Sequence, residues 1–248
     1  ARGGQILADI TKDRKVGSVA VTYTNNDYGK GLADVYAAAA KAHGIDVTIV
    51  AAHEDGKADY SAEVATLASA GGDAVAVIGY LDQGGKGIIQ GALDSGAFDT
   101  FILSDGMIGD SLTDAFGKSL NKSFGSLPGS TGKGAGVFAT VAGDAGIDPS
   151  GPYTGESYDA AALIVLAMQA SGSADRKGIA DNVMAVANAP GKKIYPGQLK
   201  KALDLLAKGK AVDYEGATGV MFTEVGEAEG SFLEKEIKGG KFKTKKQR

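Results

Sequence analysis

The amino-acid sequence predicts an α/β protein whose first half forms one parallel β-sheet. Short runs rich in β-branched residues alternate with amphipathic segments of helical spacing, which is the pattern of successive βαβ units. The 38 glycines are about twice the usual ~7%, as many tight turns between elements require. No run of apolar residues reaches the ~18 that a membrane span needs.

Strand and helix patterns follow one another through the first half of the chain. The predicted strands are residues 16–23, 46–51, 74–78, 100–103 and, with a weaker pattern, 122–127. The predicted helices are residues 5–11, 30–43, 61–70, 86–93 and 112–116. Gly44 is expected to end the second helix as a C′ glycine, and Ser61 is expected to cap the third.

The second half has a different character. Residues 125–132 contain glycine, serine and proline and form the best candidate for a domain boundary. Residues 156–170 form the strongest predicted helix, and it is apolar around most of its circumference, so burial on more than one side is expected. Helices near 177–186 and 196–206 and a hairpin starting at 231 follow, turning at Gly239-Gly240. Because convincing strands are few, either this half packs on the first or part of a second lobe is absent.

Composition excludes several function classes. The net charge of −4 argues against a nucleic-acid partner, and the basic segment 235–248 is expected to be a solvated terminus. The absence of cysteine excludes disulfides, thiolate metal sites and cysteine nucleophiles. From its first residues we expect no signal peptide, and we expect the start without methionine to reflect processing or truncation.

Neither the glycine-rich loops nor the histidines indicate catalysis. Residues 29–31, 84–87 and 132–134 resemble phosphate-binding turns, but none has the spacing of a nucleotide-binding motif. His43 and His53 lack the partners of a metal site or a catalytic triad, and both are expected at the surface. We therefore expect no cofactor, no metal and no enzymatic activity.

Three of the predicted strands end in loops that carry one distinctive side chain each. Tyr28 follows the first strand, Tyr80 the third and Asp105 the fourth. In the flavodoxin-like strand order 2-1-3-4-5, strands one and three flank the topological switch point, where ligands bind. Each residue also has a structural explanation: Tyr28 as a helix cap, Tyr80 as a packed aromatic and Asp105 as the N-cap of a turn.

Taken together, these side chains suit a small cationic ligand with a compact apolar part. A carboxylate attracts an ammonium group by ion pairing, and two aromatic faces attract it by cation–π interaction. A phosphate would be repelled by the same carboxylate. The sequence therefore predicts an ammonium site at this edge of the sheet.

With these residues in view, the chain resembles a type I periplasmic solute-binding protein of the branched-chain amino acid (Leu/Ile/Val) family of ABC importers. The resemblance is carried by residues 14–31, 73–92, 101–109 and 148–153, the last leading into the long helix. It implies a periplasmic binding protein-like type I fold, with a complete flavodoxin-like lobe and an incomplete second α/β lobe.

The resemblance also implies a domain assignment. Residues 1–126 would form the family's second lobe, 127–230 the later part of its first lobe, and 231–248 would return to the second. The opening βα units of the family have no counterpart here. Tyr28 and Tyr80 would contact the ligand, and Tyr153 would line the cleft from the first lobe. Asp105 would take the ligand's ammonium, where the family often has glutamate.

The expected function is that of a non-enzymatic periplasmic binding protein. It would close two lobes over a small amino acid, most simply of branched-chain type, and deliver it to a membrane permease. The missing N-terminal portion of its own chain is a further expected partner. Alternatives are a binder of amides, urea or other amino-acid-like ligands, a ligand-sensing receptor domain, and an α/β enzyme that uses a nucleotide or sugar phosphate.

Overall fold

The computed structural model describes residues 2–248, and the chain folds into two compact units. The first comprises the chain up to Leu127 together with Phe232–Lys246 and Arg248. The second comprises Pro128–Ser231 and Gln247. The assignment of residues 1–126, 127–230 and 231–248 to the lobes of a family stays a prediction.

The elements alternate as predicted in the first half. As far as the fifth strand they are α1 (Arg2–Asp13), β1 (Ser18–Thr24), α2 (Asp27–Ala42), β2 (Asp46–His53), α3 (Ser61–Ala70), β3 (Ala74–Ile78), α4 (Lys86–Ser95), β4 (Phe101–Leu103), α5 (Asp110–Phe116) and β5 (Phe124–Pro128). The rest are α6 (Lys133–Asp144), α7 (Thr154–Ser171), α8 (Arg176–Ala187), β6 (Lys192–Ile194), α9 (Leu199–Leu206), β7 (Val212–Tyr214), β8 (Phe232–Lys238) and β9 (Lys241–Gln247). No helix among residues 2–248 combines the length and apolar character needed to cross a lipid bilayer.

The first unit is built on a seven-stranded sheet of order β2-β1-β3-β4-β5-β8-β9. Neighbouring strands from β2 to β5 pair in parallel. The predicted flavodoxin-like order 2-1-3-4-5 is therefore confirmed. Because these strands are parallel, the carboxyl ends of β1, β3 and β4 open on one edge, with β1 and β3 adjacent at the switch point. We call this edge the rim.

Helices cover both faces of the parallel strands. Every residue of β3 is buried, and its side chains alternate between two apolar clusters. Val77 packs with Val64 of α3 and Ile88 of α4. Ile78 faces the other way and packs in the same cluster as Tyr36 of α2. A strand covered on both faces accounts for the continuous apolar run that identified β3 in the sequence.

The basic C-terminal segment forms an ordered strand rather than a free tail, but six of the seven residues of β9 are exposed, so its lysines are solvated as expected. It forms the predicted hairpin of β8 and β9, which turns at Gly239 and Gly240 with φ of 62° and 75°, values that favour glycine. The buried carboxylate of Glu234 accepts Nη2 of Arg14 at 2.8 Å and Nη2 of Arg248 at 2.6 Å. These ion pairs tie the hairpin to the residue that follows α1 and to its own end.

In the second unit, α7 is buried along one stripe. The buried residues are Asp159, Ala162, Leu163, Leu166 and Ala167. They pack with β6 and β7, a two-stranded parallel sheet that the sequence did not predict. Ile164 and Val165 are 47% and 43% exposed. The expectation that this helix is buried on more than one side is therefore wrong for this chain.

The two capping predictions have different outcomes. Gly44 lies just past the end of α2 with φ of 78°, so its prediction as a C′ glycine is confirmed. The prediction that Ser61 caps α3 is wrong, because Ser61 is already the first helical residue. Its N–H is instead bonded by Oδ1 of Asp59 at 2.9 Å. An acidic side chain two residues earlier takes the acceptor role that a serine cap would have had.

Candidate functional site

The first rim segment brings Tyr28 to the end of β1. Asn26 caps α2, since its Oδ1 accepts the N–H of Gly29 at 2.9 Å. A Cβ at Gly29 would lie 2.1 Å from the carbonyl oxygen of Thr24, so only glycine lets the helix begin this close to the strand. Tyr28 is not the cap of α2, and its side chain extends along the rim.

Tyr28 and Tyr80 stack on each other. Their ring centroids are 5.3 Å apart and the ring planes are inclined by 25°. Tyr80 follows β3 and precedes a tight turn over residues 81–85. Stacked rings hold each other in place, which limits the freedom that a ligand would otherwise have to remove.

Asp105 completes the constellation. The phenol of Tyr28 donates to Oδ1 of Asp105 across 2.5 Å, and Asp105 opens a short 3₁₀ turn one residue after the end of β4. The structure thus brings together the three rim residues predicted from the sequence. Their role as ligand-binding residues stays a prediction.

The electrostatics favour a cation. Burial, followed by the charge of Asp105 and the hydrogen bond to it, raises the pKa of Tyr28 well above its ordinary value. The phenol therefore stays neutral at physiological pH and donates its hydrogen to the carboxylate. The neutral phenol adds no charge of its own to the site, so the carboxylate of Asp105 is expected to attract an ammonium group and to repel a phosphate.

Close backbone packing fixes the loops that carry Tyr80 and Asp105. A Cβ at Gly106 would lie 2.4 Å from the carbonyl oxygen of Gly79, and one at Gly85 would lie 2.2 Å from Sδ of Met107. Each loop therefore contacts the other at positions where only a glycine fits. The rim is a packed surface rather than a set of independent loops.

The glycine-rich loops have packing roles. In the turn after β3, a Cβ at Gly84 would lie 2.6 Å from the Tyr60 hydroxyl, and at the start of α4 one at Gly87 would lie 2.7 Å from the Tyr60 ring. In the first turn of α6, a Cβ at Gly134 would lie 1.9 Å from the carbonyl oxygen of Gly216. These glycines accommodate protein atoms, which explains their presence without a phosphate.

Both histidines were expected at the surface, and only one of them lies there. Nε2 of His43 lies 2.6 Å from Oδ1 of Asp9, on a partly exposed surface. His53 is only 1% exposed, so its predicted surface position is wrong. β2 runs two residues further than predicted, and pairing with Thr24 carries His53 onto the sheet. There its Nδ1 lies 2.8 Å from Oγ1 of Thr22.

Tyr153 belongs to the second unit. It directly precedes α7, with φ of 60° and a side chain that is 40% exposed. A positive φ is uncommon for a tyrosine and fixes the direction in which the ring leaves the backbone. Its predicted role in ligand binding stays a prediction.

Sequence reasoning missed Ser104, which is buried beside the rim residues with its hydroxyl near Tyr28. No signal in the sequence separates it from other loop serines. Within residues 2–248, no cluster of three or more acidic, histidine or cysteine side chains is placed to hold a metal ion.

A family model described as "Periplasmic binding protein" matches residues 2–228. The chain belongs to this family. The predicted resemblance to its Leu/Ile/Val-binding members is confirmed by a relative from Brucella melitensis biotype 1, "Leu/Ile/Val-binding protein homolog 1". That protein is 31% identical over 180 residues, which are 71% of this chain and 47% of the relative. This periplasmic binding protein thus spans about half the length of the curated relatives it matches.

A second relative is the chemotactic signal transduction system substrate-binding protein BasB of Halobacterium salinarum. It is 39% identical over 71 residues, which cover 29% of this chain and 17% of BasB. The matched part is short, so the likeness concerns one portion of the chain.

Solved structures confirm the predicted fold. The leucine-binding protein LivK of Thermotoga maritima gives a TM-score of 0.78 at 20% identity, over 99% of this chain and 65% of LivK. LivJ of Streptococcus pneumoniae, solved with isoleucine, gives 0.73 at 18% identity, over 98% and 63%. A solute-binding protein of Rhodopseudomonas palustris, solved with benzoate, gives 0.70 at 13% identity, over 98% and 61%.

Proposed function

We propose that this chain is the substrate-binding component of an ABC importer and that it binds a small amino acid of branched-chain type. The observation that carries the proposal is the carboxylate of Asp105, held by the Tyr28 phenol at 2.5 Å beside the stacked ring of Tyr80. The carboxylate would bind the α-ammonium, and the rings would contact the backbone and the apolar side chain. No chemical step is proposed for the site.

Calorimetric titration of the full-length protein tests this proposal. L-leucine, L-isoleucine and L-valine are the probes, and benzoate is the contrast because it has a carboxylate and an apolar part but no ammonium group. Heat with at least one amino acid and none with benzoate supports the proposal. Heat with benzoate alone would contradict it, because Asp105 would then repel rather than attract the bound ligand.

Acetamide and urea extend the same titration to the other ligands considered. Both are neutral, so they gain little from the charge of Asp105 and are expected to bind more weakly than an amino acid. ATP and NAD in a thermal-shift screen test the nucleotide-using enzyme. We expect no shift, because at least one glycine of each candidate phosphate loop packs closely against protein atoms, as Gly84 does against Tyr60.

A sensing role is the second candidate function, favoured by the likeness to the chemotactic substrate-binding protein BasB. Both roles use the same ligand site and differ only in the membrane partner. The two roles can be distinguished in a strain that lacks the gene, by measuring both the uptake of radiolabelled leucine and chemotaxis toward leucine. Loss of uptake with normal chemotaxis supports the importer.

The proposed location is the periplasm, and the proposed partners include the permease subunits of the importer. We also propose that a further segment of polypeptide, corresponding to the part of the relatives that this chain does not match, packs on the face of α7 that carries Ile164 and Val165. Two neighbouring apolar side chains that are 47% and 43% exposed support this proposal.

A further inference from the structure

Ser104 lies buried at the rim, between the segments that carry the three predicted ligand-binding residues. It is 1% exposed. Its Oγ lies 3.3 Å from the backbone nitrogen of Gly79, which precedes Tyr80, and 3.3 Å from the hydroxyl oxygen of Tyr28. Asp105 follows it in the chain. A single hydroxyl thus links all three segments.

The end of the β3–β4 ladder explains why a side-chain oxygen takes this position. The N–H of Ser104 donates to the carbonyl of Val77 at 3.2 Å, as the last regular rung. In a continued parallel ladder, the N–H of Gly79 would donate to the carbonyl of Ser104. That carbonyl instead accepts the N–H of Met107 at 3.0 Å, within the turn that begins at Asp105. Oγ of Ser104 accepts the Gly79 N–H in its place.

The remaining hydrogen bond joins Ser104 to Tyr28. The phenol carries one hydrogen, and it lies 2.5 Å from Asp105 but 3.3 Å from Ser104. The shorter contact receives that hydrogen, so the hydroxyl hydrogen of Ser104 is available for the phenol oxygen. Ser104 then donates to Tyr28 and accepts from Gly79, and both of its hydrogen-bonding roles are used.

We propose that Ser104 is a positioning residue for the amino-acid site, and this inference rests on the proposed function. Its hydroxyl fixes the Tyr28 phenol and the backbone before Tyr80 relative to Asp105, so that a ligand meets a preformed set of groups. Preorganisation of this kind increases affinity because less ordering is left for the binding step.

The test compares Ser104→Ala with Ser123→Ala in the full-length protein. Ser123 is an equally buried serine whose Oγ accepts the N–H of Phe101 at 3.1 Å, at the opposite end of β4 from the rim. It therefore controls for the loss of a buried serine from the same sheet. We expect Ser104→Ala to weaken binding of L-leucine, L-isoleucine or L-valine about tenfold, as for one lost hydrogen bond, and Ser123→Ala to change it less than about twofold.

A second measurement needs no ligand. In protein labelled with ¹³C at tyrosine Cζ, the Tyr28 resonance, assigned with Tyr28→Phe, is expected to shift in Ser104→Ala and to stay in place in Ser123→Ala. An unshifted Tyr28 resonance in Ser104→Ala, or equal affinities of the two serine variants, would overturn the inference. If the wild-type protein binds none of the amino acids, the proposed function fails, and the resonance still decides whether Ser104 positions Tyr28.

Discussion

The charge of Asp105, more than its shape, is expected to select the ligand. Asp105→Asn keeps the size of the side chain and removes its charge. We expect calorimetry to show an amino-acid affinity about 10- to 100-fold weaker, because the ammonium would then bind a neutral amide oxygen instead of a carboxylate. Asp110→Asn, at an exposed carboxylate in the first turn of α5, is the control and should bind as the wild type does.

A companion pair of substitutions compares the two units. Asp105→Ala should reduce affinity far more than Tyr153→Ala, because a fixed charge contributes more to binding an ammonium than one half-exposed ring. The same calorimetric titration measures both variants. Equal and slight losses would mean that the ammonium is held elsewhere.

His53 is expected to make the stability of the protein depend on pH. Burial lowers its pKa in the folded protein below the ordinary ~6.5, although the carboxylates of Asp55, Glu63 and Glu54 oppose this shift. The unfolded chain therefore binds a proton at a higher pH than the folded one. The contribution of neutral His53 to the free energy of unfolding is therefore fully present above about pH 7. It is lost as the pH drops below ~6.5 toward the folded pKa, by at most about 1.4 kcal/mol per pH unit.

Urea unfolding between pH 7.5 and 5 measures this dependence. His53→Gln removes the titrating group, so its free energy of unfolding should change less over the interval than that of the wild type. The comparison of slopes does not require the variant to match the wild type in stability at any one pH. Parallel slopes would show that His53 does not account for the loss.

At the scale of elements, the C-terminal hairpin depends on the buried carboxylate of Glu234. Burial raises its pKa, but hydrogen bonds from Arg14 and Arg248 outweigh this and hold the pKa below its ordinary value. Glu234→Gln removes the buried charge that the two arginines share, leaving Arg14 with Glu236 and Arg248 with Asp13, and should cost about 1.5–3 kcal/mol of unfolding free energy. Asp99→Asn breaks the exposed pair with Lys122 and should cost less than about 1 kcal/mol.

Chemical unfolding of the two variants beside the wild type provides the measurement. A loss of similar size in both would show that the buried pair contributes no more than a surface one. Arg14 also lies over the ring of Phe124, with its guanidinium carbon 5.0 Å from the centroid, so its orientation has support besides Glu234. The variant therefore tests the charge of Glu234 more than the placement of Arg14.

Elements with a strong local signal were predictable from the sequence. β3 is an uninterrupted apolar run because both of its faces are covered. The alternation of strands and helices indicated a parallel sheet, and its predicted strand order 2-1-3-4-5 placed the rim residues together. β9 gives no such signal, since an edge strand that carries mostly lysine is polar on both faces and looks like a solvated tail. Ser104 and His53 escaped prediction because their burial depends on neighbouring strands that are distant in sequence.

In the second unit, the exposed apolar face of α7 is the surface on which the proposed further segment would pack. When a helix is apolar on two faces but buried on only one, the side chains of the exposed face do not stabilise the fold by burial. Here those side chains are Ile164 and Val165, and the buried stripe with Leu166 supplies the packing of the second unit. The two faces can therefore be distinguished by measuring the free energy of unfolding of variants in this chain and in a longer protein that includes the proposed further segment.

We expect Val165→Ser to leave the thermal unfolding of the 248-residue chain nearly unchanged. In a longer protein that includes the proposed further segment, the same substitution should lower the free energy of unfolding by about 1–2 kcal/mol, because the side chain would be buried there. Leu166→Ala is the matched control: its side chain is fully buried in this chain, so it should destabilise both lengths by about 2–5 kcal/mol. If Val165→Ser has no effect in the longer protein either, the further segment does not pack on this face of α7, and the proposal that it does is wrong.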